Sequence, residues 1–121
     1  VAVADVEEAI RVHAARYLRR VYTSRELRDC VAPSGAPDAR RLAARFAAKE
    51  AALKVLRGGD EPVPWRAIGV RTDALGRPSL HLDGAAAALA RARGFGSLHL
   101  TLTEEGQYAG AAVIGELRDL S

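Results

Sequence analysis

Residues 42–57 read LAARFAAKEAALKVLR, and the rest of the 121-residue chain is organised around them. Ala, Leu, Arg, Lys and Glu are strong helix formers, and nothing interrupts them until Gly58 and Gly59. On a wheel of about 3.6 residues per turn, Leu42, Phe46 and Leu53 share one side and are expected to face the core. Glu50 lies on that stripe one turn after Phe46, with Lys54 one turn further on. A carboxylate on an apolar face has two readings. One is an i,i+4 Glu–Lys pair at the edge of the buried face, stabilising by roughly 0.3–0.5 kcal/mol. The other is a site in which a hard cation such as Mg²⁺ takes the carboxylate and keeps its waters for substrate phosphates. Lys54 would then serve as a point charge, or as a proton-transfer group if desolvation lowers its pKa. That reading calls for further acidic residues from elsewhere in the chain.

The composition sets bounds. One domain, residues 1–121, is expected, long enough for a single core. With 49% hydrophobic and 27% charged residues the chain is globular rather than disordered. No apolar run approaches the ~20 residues of a membrane span, and no signal-peptide pattern is present. Cys30 is alone, which excludes a disulfide framework or cysteine-rich zinc site and fits a reducing, cytoplasmic setting. A start at Val1 rather than Met is expected of a chain trimmed, processed or cut from something longer. Net charge is only +3, but Arg11, Arg16, Arg19, Arg20, Arg25 and Arg28 crowd one segment. Such a patch attracts an acidic partner. At 5% aromatics without even spacing, single-stranded nucleic acid is the weaker candidate and an acidic protein at least as good a one.

Taken in order, residues 1–4 read as a short strand delivering Asp5 and Glu7 to one side by its period of two. The alternative is a helix start with Asp5 as N-cap and Glu8 at capping-box spacing. Residues 8–21 look helical, with Ile10, Ala14, Tyr17, Leu18 and Val21 on one face. Thr23 and Glu26 form a second capping box, residues 32–37 a loop, and Asp38 a cap for the central helix. Strands are expected at 68–72 and 79–82 around a turn at 73–78, then an alanine-rich helix over 84–93 closed by Gly94. A second hairpin pairs 98–103 with 108–116 through a turn at 104–107. The class is α+β, with helices packed on an antiparallel sheet.

Residues 45–54, R-F-A-A-K-E-A-x-x-K, resemble the central motif of the 4′-phosphopantetheinyl transferases, especially the small holo-acyl-carrier-protein synthases. The resemblance runs over nearly the whole chain. Asp5 resembles the metal-binding Asp after the family's first strand, with Arg11 six residues on. Residues 22–26 resemble its T-x-x-E segment, 73–78 its D-x-x-G-x-P hairpin, and 99–103 its H-x-S-x-S/T strand. It implies a single compact phosphopantetheinyl transferase domain that moves the 4′-phosphopantetheine arm of coenzyme A onto a serine of an apo acyl or polyketide carrier protein. It further implies Mg²⁺ and a homotrimer with sites between subunits. By position, Asp5 and Glu50 would hold the metal, Lys54 would act as base or charge stabiliser, and Arg45, Lys49, Gly76, Arg77, Pro78, Thr101 and Thr103 would lie along the coenzyme. Arg11, Arg16 and Arg20 would meet the acidic helix of the carrier protein.

Three positions depart from the pattern. Val3 replaces a customary Gly, Glu7 gives an Asp-x-Glu in which Glu7 is a further metal ligand in the larger branch of the family, and Glu104 stands where the small synthases carry His. His81 and His99 read as strand-face residues without ligand spacing. Two competing functions remain: a carrier-binding relative without efficient turnover, and a basic nucleic-acid-binding domain.

Overall fold

The computed structural model describes residues 1–57 and 59–119. Its centre is α3 (Ala39–Leu56), started by Asp38, whose carboxylate accepts from the Arg41 N–H, as the sequence predicts. The fully buried stripe of α3 is not the predicted one. Leu42, Arg45, Lys49, Ala52 and Leu56 face inward, while Phe46 and Leu53 are only half-buried. The reason is size. Ala44, Ala48 and Ala52 let neighbouring elements come close, and bulky Phe46 instead leans on Trp65 with ring centroids 5.1 Å apart.

Around α3 the chain adds α1 (Val3–Val21), α2 (Ser24–Asp29), a 3₁₀ turn (Trp65–Ala67) and β1 (Ile68–Thr72) paired antiparallel to β2 (Pro78–Leu82). It finishes with α4 (Gly84–Ala92) and the hairpin of β3 (Phe95–Glu105) and β4 (Tyr108–Leu117). The predicted α+β class holds, with the strands forming two separate two-stranded sheets. The first half of α3 packs into a cluster with Val3, Val6, Val21, Tyr22 and Ala109. Its second half packs into another with Ile68, Ala86 and Ala90. One helix therefore joins two small cores.

Three local expectations change. Residues 1–4 do not form a separate strand: Ala2 makes a single bridge to Tyr108, and the helix begins at Val3. Asp5 is thus a first-turn residue rather than a cap, and the Ala2 N-cap has no side-chain bond. Second, α1 is kinked at Ala14 (φ 44°, ψ −125°), which leaves Ala14 exposed rather than on the apolar face. A non-glycine residue there costs on the order of 1–3 kcal/mol. Third, the turn expected over 104–107 narrows to Gly106 and Gln107, because Gly106 adopts φ 59° and permits a two-residue hairpin turn. Glu104 and Glu105 consequently belong to β3, paired with Ala109 and Tyr108. The capping box at Thr23 and Glu26 is present in both directions.

Candidate active site

The residue just before Glu50 fixes how α3 is turned. Lys49 is wholly buried and its Nζ lies 2.7 Å from Glu26 Oε1. It also donates to the carbonyls of Trp65 and Ile68. Glu26 accepts in addition from the N–H groups of Thr23 (2.9 Å) and Val70 (3.0 Å). A buried pair is tolerated when its remaining donors and acceptors are satisfied, as here. Burial pushes the Lys49 pKa down and the Glu26 carboxylate opposes that shift. The expectation that Lys49 lies along a coenzyme is therefore corrected: it ties α2, α3, the 3₁₀ turn and β1 together and reaches no surface.

One turn before Lys49, Arg45 is 6% exposed and its Nε finds no acceptor among the described residues. Nearly every buried donor in a folded protein is paired, with ordered water counted among the partners, so this guanidinium is one that the protein's own acceptors do not fully satisfy. Arg45 borders a groove of about 620 Å³ together with Arg41, Gly76, Pro78, Thr101 and Glu104. The Gly76 turn is held open by its positive φ of 80°, with Asp73 Oδ1 accepting from the N–H groups of Leu75 and Arg77. Two arginines make the groove receptive to anions, while Asp29 and Glu104 place carboxylates on its walls. Glu104 reaches it because it follows Leu100 and Leu102 on the same face of β3.

Of the predicted coenzyme residues, Arg45, Gly76, Pro78 and Thr101 line this groove. Arg77 and Thr103 do not. Arg77 folds back on Asp73, Nε to Oδ2 3.6 Å, and the Thr103 side chain lies over Gly110.

On the other side of α3, Glu50 and Lys54 line a cavity of about 260 Å³ with Leu53, Arg57 and Trp65. Asp5 is exposed on α1, which packs against α3, and does not line that cavity. The expected partnership of Asp5 with Glu7 fails on geometry. It assumed a strand, and two residues apart on a helix they point to different sides. Among the described residues no three His, Cys, Asp or Glu side chains converge as a metal site. Arg11, Arg16 and Arg20 are exposed on α1, Arg11 paired to Glu8 at 2.7 Å. The kink at Ala14 falls between Arg11 and the other two, so they do not form one straight row. Arg20 borders a hollow shared with Leu53, Arg57 and Trp65, which joins the basic surface to the Glu50–Lys54 cavity.

Sequence reasoning missed Arg41 and Asp29 in the groove, and Glu26 as the partner of Lys49. A signal existed for Glu26 alone: its capping-box position fixed one carboxylate oxygen and left the second for Val70.

Residues 1–113 match the model of the 4′-phosphopantetheinyl transferase superfamily. A holo-[acyl-carrier-protein] synthase of Anaeromyxobacter dehalogenans is 50% identical, covering 93% of this chain and 91% of the relative. The crystal structure of such a synthase from Neisseria meningitidis superimposes with a TM-score of 0.81 at 29% identity, over 96% of this chain and 92% of that one. A coenzyme A complex from Chronobacterium ammoniagenes superimposes with a TM-score of 0.77 at 27% identity, over 98% and 93%.

Proposed function

This chain belongs to the 4′-phosphopantetheinyl transferase superfamily, and from that premise we propose that it is a holo-[acyl-carrier-protein] synthase. It takes coenzyme A and an apo acyl carrier protein and leaves the 4′-phosphopantetheine arm on the carrier's serine. The observation that carries the reading is the buried Arg45 Nε, unpartnered at the wall of an anion-receptive groove. The Arg45 and Arg41 guanidinium groups bind the coenzyme's phosphates, and the Gly76–Pro78 turn closes over its nucleoside end.

The serine Oγ gives its proton to solvent water in the open cavity and forms a bond to the phosphorus next to the pantetheine. The bond from that phosphorus to the bridging oxygen breaks, and adenosine 3′,5′-bisphosphate leaves with the electron pair. Lys54 and Arg57, across α3 from the groove in one chain, are brought to the coenzyme's pyrophosphate from a neighbouring copy and offset the charge that develops on the transferred and departing groups, which is most of what such a reaction asks of a protein. Lys54 is exposed, and its position supports charge stabilisation over the role of base.

Mg²⁺ fits this residue set in one form only. With no three-carboxylate cluster among the described residues, the donors suit an ion held by one or two carboxylates, Glu50 and Asp5, and completed by waters and phosphates. Such an ion supplies Lewis-acid neutralisation of the pyrophosphate.

The outward face of the β3–β4 hairpin supports a homotrimer. His99, Thr101 and Thr103 of β3 pair across to Ile114, Ala112 and Gly110, and Tyr108 and Ile114 are 64% and 67% exposed. An uncovered sheet face of this kind marks a contact between chains. It adjoins the groove at Thr101, so a neighbouring copy would complete the coenzyme site. We place the acidic carrier on Arg11, Arg16 and Arg20, and the reaction in the cytoplasm, in fatty acid or polyketide synthesis. No helix among the described residues is long and apolar enough to cross a membrane.

Incubation of the protein with apo carrier, coenzyme A and Mg²⁺ should add the mass of one phosphopantetheine to the carrier. Binding of the carrier without that gain would establish the carrier-binding relative instead, a reading that the Asp29 and Glu104 carboxylates in the groove favour. Sedimentation should give three chains per particle.

A further inference from the structure

A second basic concavity lies away from both the groove and the Glu50–Lys54 cavity, sharing no residue with either. It sits between the start of α2 and the solvent side of the β1–β2 hairpin. Arg25, Arg66, Arg71 and His81 line it, with Asp83 as the one carboxylate on its wall. We propose that it is a second anion site that takes a phosphate monoester. The inference does not depend on the transferase reading.

Strand alternation explains the placement. Ile68, Val70 and Thr72 turn toward α3 and the groove, so Gly69 and Arg71 turn the other way, across from His81 and Ser79. Gly69, in mid-strand, supplies a bare floor: a Cβ there would meet only His81 O and Thr23 Cγ2, each at 3.6 Å. Glycine inside a strand is a mark of close approach by another group. The charges are not spent within the chain. Arg25 has a distant partner in Asp29 at 4.0 Å, but Arg66 and Arg71 have no ion pair among the described residues. Asp83 is itself engaged as the cap of α4, accepting from the Gly84 N–H at 3.0 Å. Beneath the site, Lys49 is already neutralised by Glu26, so the pair adds no net charge to attract or repel a ligand.

Several guanidinium forks around one hollow match the oxygens of a phosphate better than those of a lone carboxylate. The volume is about 270 Å³, enough for a small phosphorylated molecule or a phosphorylated side chain but short of whole coenzyme A.

The test is a titration of inorganic phosphate into isotope-labelled protein at constant ionic strength, in the parent and in Arg41→Glu, which sets a carboxylate in the groove and leaves the second concavity intact. Saturating shifts at the Gly69, Arg71 and His81 amides are expected, and acetate should not reproduce them. Arg66→Ala with Arg71→Ala should weaken phosphate binding about tenfold or more, equal to about 1.4 kcal/mol. Transfer to the carrier should stay within about twofold in that variant, an effect too small to reflect a lost charge-assisted bond. Should it fail to fold, His81→Glu on the exposed strand face sets a carboxylate against the ligand and should abolish the same shifts. Loss of the response in Arg41→Glu, an equal response to acetate, or unchanged binding in both the Arg66–Arg71 and the His81 variants would overturn the proposal.

Discussion

The two sides of α3 solve opposite problems. On the inner side Lys49 and Arg45 are charged, buried and held, Lys49 by an ion pair with four further hydrogen bonds, Arg45 by packing that leaves a donor free. On the outer side Glu50, Lys54 and Arg57 border an open cavity. Lys49 shows what a charge needs to survive out of water without a ligand: complete satisfaction. The outer set shows what a charge needs for chemistry, which is room for something else to arrive. Lys49 and Lys54 are the same residue type on one helix, and only their surroundings bury one within the fold and leave the other at an open cavity.

The contrast is broken most severely at Lys49. Lys49→Met leaves the Glu26 carboxylate buried without its cation, and a loss of about 3–5 kcal/mol is expected in denaturant unfolding. Adding Glu26→Gln to that variant should recover much of the loss, since an amide still accepts from Val70 while carrying no charge. A single variant as stable as the parent would mean that the pair does not organise α3.

Glu50→Ala should do the reverse. Transfer is expected to fall at least about a hundredfold, on the order of 3 kcal/mol, with the melting temperature unchanged because the side chain is half-exposed. Asp5→Ala should behave alike if the two carboxylates share one ion. Normal turnover at saturating Mg²⁺ in either variant removes that residue from the site, and a collapse of the melting temperature moves it to the inner class.

Arg45 lies between the classes, and Arg45→Lys tests which side it belongs to. The charge stays but the fork goes, so coenzyme A should bind about tenfold more weakly, near 1.4 kcal/mol, in calorimetric titration. Unchanged affinity would return the orphaned Nε to a packing role.

Smaller effects are expected at the surface. Arg16→Glu with Arg20→Glu should raise KM for the carrier several-fold, about 1 kcal/mol, while KM for coenzyme A stays put, and the gap from the parent should narrow as salt rises. Equal losses for both substrates would exclude this face as the docking surface. Glu104→His should strengthen coenzyme A binding a few-fold, since removing one charge a few ångströms from a phosphate in a solvated groove is worth about 1 kcal/mol. No gain would mean that Glu104 points away when the groove is filled.

Much of this was legible in the chain by itself. The order of elements follows from local signals: Asp38 and the Thr23–Glu26 box start helices, Gly76 and Gly106 place turns, and alternation marks β3 and β4. Local signals suffice there because caps and turns are satisfied within a few residues. Glu50 and Lys54 were found the same way, as neighbours one turn apart. What the residues' order could not decide was which face of α3 goes inward. Ala44, Ala48 and Ala52 carry little hydrophobicity on a wheel, yet their small size admits the closest neighbours, and that advantage exists only once those neighbours are in place. The fate of Lys49 was hidden for the same reason, since its partner lies 23 positions away and its two carbonyl acceptors belong to a turn and a strand formed later in the chain. The helical start at Val3, which parts Asp5 from Glu7, and the groove that gathers Arg41, Asp29 and Glu104 around Arg45 likewise arise from long-range packing. Sequence determines which charges a chain carries and how they are spaced along it; the dielectric each one meets, and so whether it stabilises, binds or reacts, is set by elements that touch only in the folded state.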